Sequence, residues 1–303
     1  MGGEQVCMVR KPGITTTMKS MISYGEVNAK SLETVGWGLE NGKQCVLDET
    51  SRVFSGKLPL EYLMVFAEDY EKAILNIKQK LILIIARLFK NSYIEEVDAA
   101  LEMNKIEWKI RHVVPSDKQI LKLLNHLNRS TTAKVRIAYR MWDLHELPTI
   151  RETASDIWAV KTTNSLERLR FIIIGFQKSS NTDDRSKDVT QFTHAGVNIR
   201  LYLNSEVYPY ERWNLDFDKK LEAVSYYAYE NFQRSYYGKD MGEPMMSIEG
   251  FRANPLFIID CNYQPDAMRS STVDIKLEFE TRKTKFPSHT KVYAFILHDA
   301  YLT

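Results

Sequence analysis

Apolar and polar residues alternate with a period of two over several stretches of the chain. Ile106, Trp108 and Ile110 alternate with Glu107, Lys109 and Arg111; Val135, Ile137, Tyr139 and Met141 alternate with Lys134, Arg136, Ala138 and Arg140. Val197, Ile199, Leu201 and Leu203 follow the same rule, as do Val273, Ile275, Leu277 and Phe279. Successive side chains of a strand point to opposite faces, so each segment predicts a strand with one core face and one wet face, the pattern of an antiparallel sandwich. Three runs, Leu81–Ala86, Phe171–Phe176 and Leu256–Ile259, are apolar on both faces and predict central or doubly covered strands. Shorter strands are predicted at Val53–Leu58, Asp156–Lys161 and Val292–His298, and Trp108, Tyr139, Phe176, Leu201, Leu277 and Phe295 are predicted core residues.

Helical spacing is scarce. Ser116-Asp-Lys-Gln119 reads as a capping box ahead of Ile120, Leu124 and Leu127. A second helix is predicted from about Asp218 to Tyr236, with Leu221, Val224, Ala228 and Phe232 on its packed face and a stripe of tyrosines widening it. Strands do not alternate with helices, which argues against a parallel α/β sheet. The polar stretch Thr162–Glu167 marks a boundary, so the predicted domains are residues 1–161 and 162–303, and Lys178–Gln191 predicts an exposed loop.

Composition narrows the function classes. A net charge of +2 provides no global basic field, and no clustered basic arm is present, so no specific nucleic-acid partner is predicted. The three cysteines, Cys7, Cys45 and Cys261, are too widely spaced for a zinc knuckle or a secreted disulfide framework, which points to a reducing compartment. No apolar run is long enough to span a bilayer, and Val6 stands where a myristoylation signal requires Ser or Thr.

Catalytic patterns are missing from the sequence: no Gly-rich nucleotide loop, metalloprotease helix, nucleophile elbow or calcium loop occurs. His112, His126, His145, His194, His289 and His298 are too dispersed to form a ligand pair on one element. Asp260-Cys261 and His298-Asp299 each follow an apolar run, but polar residues at strand ends ordinarily satisfy backbone groups and begin turns. No catalytic, cofactor-binding or metal-ligating residue and no cofactor is predicted, and the chain reads as a non-enzyme.

Several segments, taken in order, carry a family resemblance: Gly13-Ile-Thr-Thr-Thr-Met-Lys19, Phe66-Ala-Glu-Asp-Tyr-Glu-Lys72, Ile106-Glu-Trp-Lys109, Trp142-Asp-Leu-His-Glu-Leu-Pro148 and Trp158-Ala-Val-Lys-Thr-Thr163. Phe171-Ile-Ile-Ile-Gly-Phe-Gln177, Leu201-Tyr-Leu-Asn-Ser-Glu-Val-Tyr-Pro-Tyr210 and Tyr293-Ala-Phe-Ile-Leu-His-Asp299 complete the series. Together they resemble the double-jelly-roll proteins found in arthropod genomes, which are similar to the major capsid proteins of Polinton-like and adintovirus-like DNA viruses. The resemblance implies an all-β fold of two tandem antiparallel jelly-roll sandwiches with short inserted helices. It implies a capsid-like structural protein whose partners are itself, as a homotrimer forming a pseudo-hexagonal capsomer and a capsid lattice, or related capsid subunits. A virion location follows for a working subunit, and an intracellular one, cytoplasmic or nuclear and not secreted, for an endogenous or domesticated copy. Related chains carry further strands before the Gly-Ile-Thr-Thr segment and continue past the His-Asp pair. The first jelly roll is therefore expected to lack its opening strands, and a fragment of residues 156–303 is expected to be at least as soluble and cooperative as the whole chain. The alternative function is a non-catalytic host interaction module on the same scaffold.

Overall fold

The computed structural model describes residues 5–25, 32, 53, 55–72, 74, 78–84, 102–129, 137–160, 167–178, 191–238, 242–263 and 273–302. Eight strands lie between residues 137 and 302: β1 (Ile137–Leu147), β2 (Ser155–Val160), β3 (Glu167–Lys178), β4 (Val197–Leu203), β5 (Glu206–Tyr208), β6 (Phe257–Asp260), β7 (Ile275–Thr281) and β8 (Thr290–Leu302). They form two four-stranded sheets ordered β1-β8-β3-β6 and β2-β7-β4-β5, and every named pairing is antiparallel. Apart from the β4–β5 hairpin, consecutive strands change sheet, so early strands lie beside late ones, as in an eight-stranded jelly roll.

The boundary expected at residues 161/162 falls between β2 and β3, and strands from both sides of it share both sheets. β1 runs against β8 from Ile137↔Leu302 to Leu147↔Val292, and β2 runs against β7 from Ser155↔Glu280 to Val160↔Ile275. The expected division into domains of residues 1–161 and 162–303 is thereby corrected. A periodic pattern identifies a strand but not its partner, because pairing is decided by which buried faces meet in three dimensions.

The β4 and β7 patterns match the expected faces. Val197, Ile199, Leu201 and Leu203 are buried, as are Ile275, Leu277 and Phe279, while the intervening residues lie further out. Leu201 stands opposite Leu277, and Phe279 meets Phe176 of the other sheet edge to face at 5.4 Å between ring centres. Leu277 is fully buried, so Leu277→Ala is expected to cost roughly 2–5 kcal/mol of unfolding free energy. Denaturant titration checks this; a loss near zero would mean that Leu277 faces a site able to collapse around the smaller residue.

The runs Phe171–Phe176 and Leu256–Ile259 are buried throughout. Their second face is covered by helices. Helix α5 (Ala223–Tyr237) sets Phe232 against Phe171, with ring centres 5.0 Å apart, and Trp142 stacks on Phe295 at 4.4 Å beneath it. Helix α6 (Ile248–Ala253), capped by the Ser247 hydroxyl accepting from the Gly250 N–H, adds Phe251 against Tyr229. Gly238 ends α5 in the left-handed region at φ 67°, where a residue without Cβ is least strained.

Four helices precede the sandwich among the described residues: α1 (Pro12–Ser23), α2 (Leu60–Leu63), α3 (Val65–Asp69) and α4 (Asp117–Arg129). The predicted capping box holds at α4, where the Ser116 N–H donates to Gln119 Oε1 at 3.1 Å. Helix α5 begins at Ala223, later than the predicted Asp218, and its packed face is shifted toward the tyrosines: Tyr229, Phe232 and Tyr236 are buried, whereas Val224 is about half exposed and Leu221 lies before the helix, also exposed. The tyrosines prevail because burying each ring removes more apolar surface than burying Val or Leu, and their hydroxyls find partners in the cover.

Three predicted strands are not strands among the described residues. Residues 55–58 and 81–84 carry no ladder, and Ile106, Trp108 and Ile110 are exposed. Trp108 is therefore not a core residue. Lys105 and Lys109 both pair with Glu107 along this exposed segment, and no described strand lies beside it. Alternation creates a candidate strand, but only a hydrogen-bonding neighbour makes a ladder. The predicted loop at 178–191 and the boundary stretch 162–167 lie almost entirely outside the described residues.

Candidate functional site

A polar seam joins the N-terminal helices to the sandwich. Lys19 of α1 is almost fully buried, and its ammonium meets Glu68 of α3 at 2.7 Å and donates to the Glu61 carbonyl at 2.6 Å. The adjacent Asp69 carboxylate takes the Arg140 guanidinium of β1 and also the Arg140 backbone N–H at 2.7 Å. Arg140 lies over the Tyr236 ring, 3.7 Å from its centre, and donates to the Tyr236 carbonyl at 2.7 Å. The Tyr236 hydroxyl donates to Glu68 at 3.1 Å and accepts from the Trp142 indole at 3.3 Å. Two bonds fasten α1 to α5: the Tyr229 hydroxyl donates to the Met21 carbonyl at 2.8 Å, and the Gln233 amide donates to the Tyr24 carbonyl at 2.7 Å. Four elements distant in sequence thus meet in one network, and each charge has an opposite partner, as burial demands.

The seam shifts the groups within it. Burial pulls Lys19 below its usual 10.5 despite the Glu68 carboxylate, and burial pushes Tyr24, Tyr229, Tyr236 and Tyr237 above the ordinary 10.0. A phenol whose folded pKa is raised contributes stability below its unfolded pKa and loses it as pH climbs through the folded value. Lys19 acts oppositely, since its lowered folded pKa makes stability rise as pH approaches 10.5. Four phenols against one ammonium predict a net fall in stability above about pH 10. Urea midpoints measured across that range check the sign; a midpoint that holds or climbs would mean that the phenols ionise without unfolding the cover.

Two clefts flank the seam. One, of about 420 Å³, lies between the β1 and β2 edges and is lined by Arg10, Lys11, His145, Glu146 and Trp158. The His145 Nε2 atom is buried with no hydrogen-bond partner among the described residues, and burial lowers the imidazole pKa. The other, of about 520 Å³, opens where β8 ends and is lined by Asp69, Arg140, Arg168, Arg170, Asp299 and tyrosines including Tyr237.

The residues weighed in the sequence fall in separate places. His298 is buried on β8, its Nε2 atom 3.1 Å from Asp143, and His145 is the next inward neighbour along β1. His194 stacks on Phe217 with centres 4.8 Å apart, its Nδ1 accepting from the Gly196 N–H; His112 and His289 are exposed. His126 lies in α4. The expected scatter of the histidines is thus broken at one point, where β-ladder register brings His145 and His298 to either side of Asp143.

Cys261 follows β6 on the far side of β3 from His298, so the two do not form a nucleophile pair. Its thiol is fully buried and its pKa is pushed well up by burial, the opposite of an activated thiolate. Cys7 is likewise pushed up, to about 11, by burial and by Asp143. Among the described residues, no group of three or more His, Cys, Asp or Glu side chains is placed to hold a metal ion. No helix among them is long and apolar enough to cross a membrane.

Sequence reasoning missed the seam, although its residues lie in two of the quoted segments: Lys19 ends the first, and Glu68 and Asp69 lie within the second. The available signal was a Glu-Asp pair between aromatic residues, which could be read equally as solvated surface.

No curated protein matches the sequence. Among solved structures, the chain is similar to the major capsid protein P2 from bacteriophage PM2, at 12% identity and a TM-score of 0.25, over 57% of this chain and 47% of that one. The match thus spans about half of the phage protein, and a score this low carries no argument. The family model described as a double jelly roll-like domain matches residues 1–302. With that match covering nearly its full length, the chain belongs to the double jelly roll-like domain family.

Proposed function

We propose that this protein is a non-catalytic, capsid-like structural subunit, related to the Polinton-like capsid proteins endogenised in arthropod genomes, that forms homotrimeric pseudo-hexagonal capsomers. The observation that carries the reading is a family match over residues 1–302 combined with an eight-stranded antiparallel roll that, among the described residues, is built from residues 137–302. A shell subunit needs a rigid block with defined faces, and the sandwich supports that need. One sheet is sealed beneath helices, while the outer face of the other carries Arg200, Tyr202 and Glu278 in a mutual polar ladder. Location in a virion follows for a working subunit.

A second reading, a non-catalytic interaction module, is supported by apolar residues exposed ahead of the sandwich, among them Ile84, Val113, Val114 and Leu121. Such surface is normally covered by a partner. Light scattering and negative-stain microscopy of the purified chain separate the two. Trimers and regular shells support the capsid reading. A monomer that forms no assembly at any concentration, yet binds one soluble partner, overturns it.

A further inference from the structure

The cleft at the end of β8 is built around an irregularity. In the β3–β8 ladder Glu167 pairs with Asp299, Leu169 with His298 and Phe171 with Leu297, with a register shift in each interval. Two residues of β3 therefore stand against one of β8 twice in succession, and the extra residues are Arg168 and Arg170. Bulges of this kind re-aim side chains and recur beside functional sites. Arg168 also has a φ of 42°, a left-handed conformation that a non-glycine residue adopts at a cost.

This distortion gathers cations. Arg170 donates to Asp299 through Nε at 2.6 Å and Nη2 at 3.2 Å, which leaves Nη1 beyond that fork. Arg168 is about half exposed and reaches Asp299 only at 3.9 Å, a loose contact for a guanidinium. Arg140, on the other side, is held by Asp69 and Tyr236. Among the described lining residues three arginines face two carboxylates, an excess of one cation, and the surplus sits on the side chain least engaged. Tyrosine rings, including Tyr237, wall the remainder of the roughly 520 Å³ space.

We propose that this cleft is a phosphate-binding site in which Arg168 and Nη1 of Arg170 hold the phosphate oxygens. Guanidinium forks match tetrahedral oxyanions, and two forks from neighbouring bulges can share one. Asp299 acts as the positioning residue that holds Arg170 in place. The shared chemistry is the phosphate group, supplied either as the free ion or on a nucleoside monophosphate whose base would lie against the tyrosines.

The test is calorimetric titration of the full chain with inorganic phosphate, with a nucleoside monophosphate and with acetate at constant ionic strength. Saturable phosphate binding is expected, with acetate much weaker. Arg168→Gln is expected to weaken phosphate by at least about tenfold, the order expected when one charge-assisted fork is lost. Its melting temperature should be unchanged, because Arg168 holds nothing tightly. Arg212→Gln, which breaks an exposed pair on the other sheet, should leave binding intact. Tighter binding of the nucleotide than of phosphate supports a base subsite; equal binding supports the free ion. Non-saturable heats with both, or wild-type affinity in Arg168→Gln, would overturn the proposal.

Discussion

A fragment of residues 156–303 is expected to aggregate or remain unfolded, whereas one beginning at residue 137 is expected to unfold cooperatively. The shorter piece lacks β1, which pairs with β8 along its whole length. Without it, β8 becomes an exposed edge thirteen residues long with a row of unpaired backbone groups, a template for intermolecular pairing. The loss extends to packing. Trp142 and Leu144 are buried over the same sheet, and deleting two such side chains removes on the order of 5 kcal/mol or more, comparable to the whole stability of an ordinary domain. Chemical denaturation of the two fragments with circular dichroism checks this. A sharp transition in the 156–303 fragment would show that β8 tolerates a free edge, and that β1 belongs functionally to the N-terminal part. The sequence alone predicts residues 156–303 to be at least as soluble and cooperative as the whole chain, whereas the strand beside β8 comes from outside that interval.

Glu68→Ala is expected to cost roughly 3–5 kcal/mol, the range found when one partner of a buried ion pair is removed. Lys19 would lose its counter-charge in a place where water does not reach, and the Tyr236 hydroxyl would lose its acceptor. The double variant Lys19→Met with Glu68→Leu is expected to recover most of the loss, since replacing both ions with apolar groups of similar size removes the desolvation penalty as well. Unfolding free energies of the two variants separate the seam's charge from its shape. A Glu68→Ala loss no larger than that of a surface change, within about 0.5 kcal/mol, would mean that Lys19 escapes to solvent by rotating its stem.

What the sequence determined by itself was local. The alternation at Val197–Leu203 and Val273–Phe279 translated directly into half-buried strands, because those strands have one sheet face against the core and one in water. The doubly apolar runs at Phe171–Phe176 and Leu256–Ile259 became strands covered on both sides, whereas Ile82, Leu83 and Ile84 of the third such run are exposed. The Ser116–Gln119 cap is a contact between residues three apart and needed nothing else.

Tertiary structure decided the rest. Ile106-Glu-Trp-Lys109 has the same period as β4, yet its apolar residues are exposed and it forms no ladder among the described residues, so identical patterns had different outcomes. The buried face of α5 was chosen by the sheet and by α1 beneath and beside it, which accept Phe232, Tyr229 and Tyr236 and leave Val224 outside. The cleft arginines owe their convergence to two bulges that no composition signals. Lys19, Glu68 and Arg140 lie far apart in the chain, and each alone reads as an ordinary surface residue. A charge can be buried only where its partner is already waiting, and the place where such partners meet is a property of the folded chain, absent from any local stretch of it.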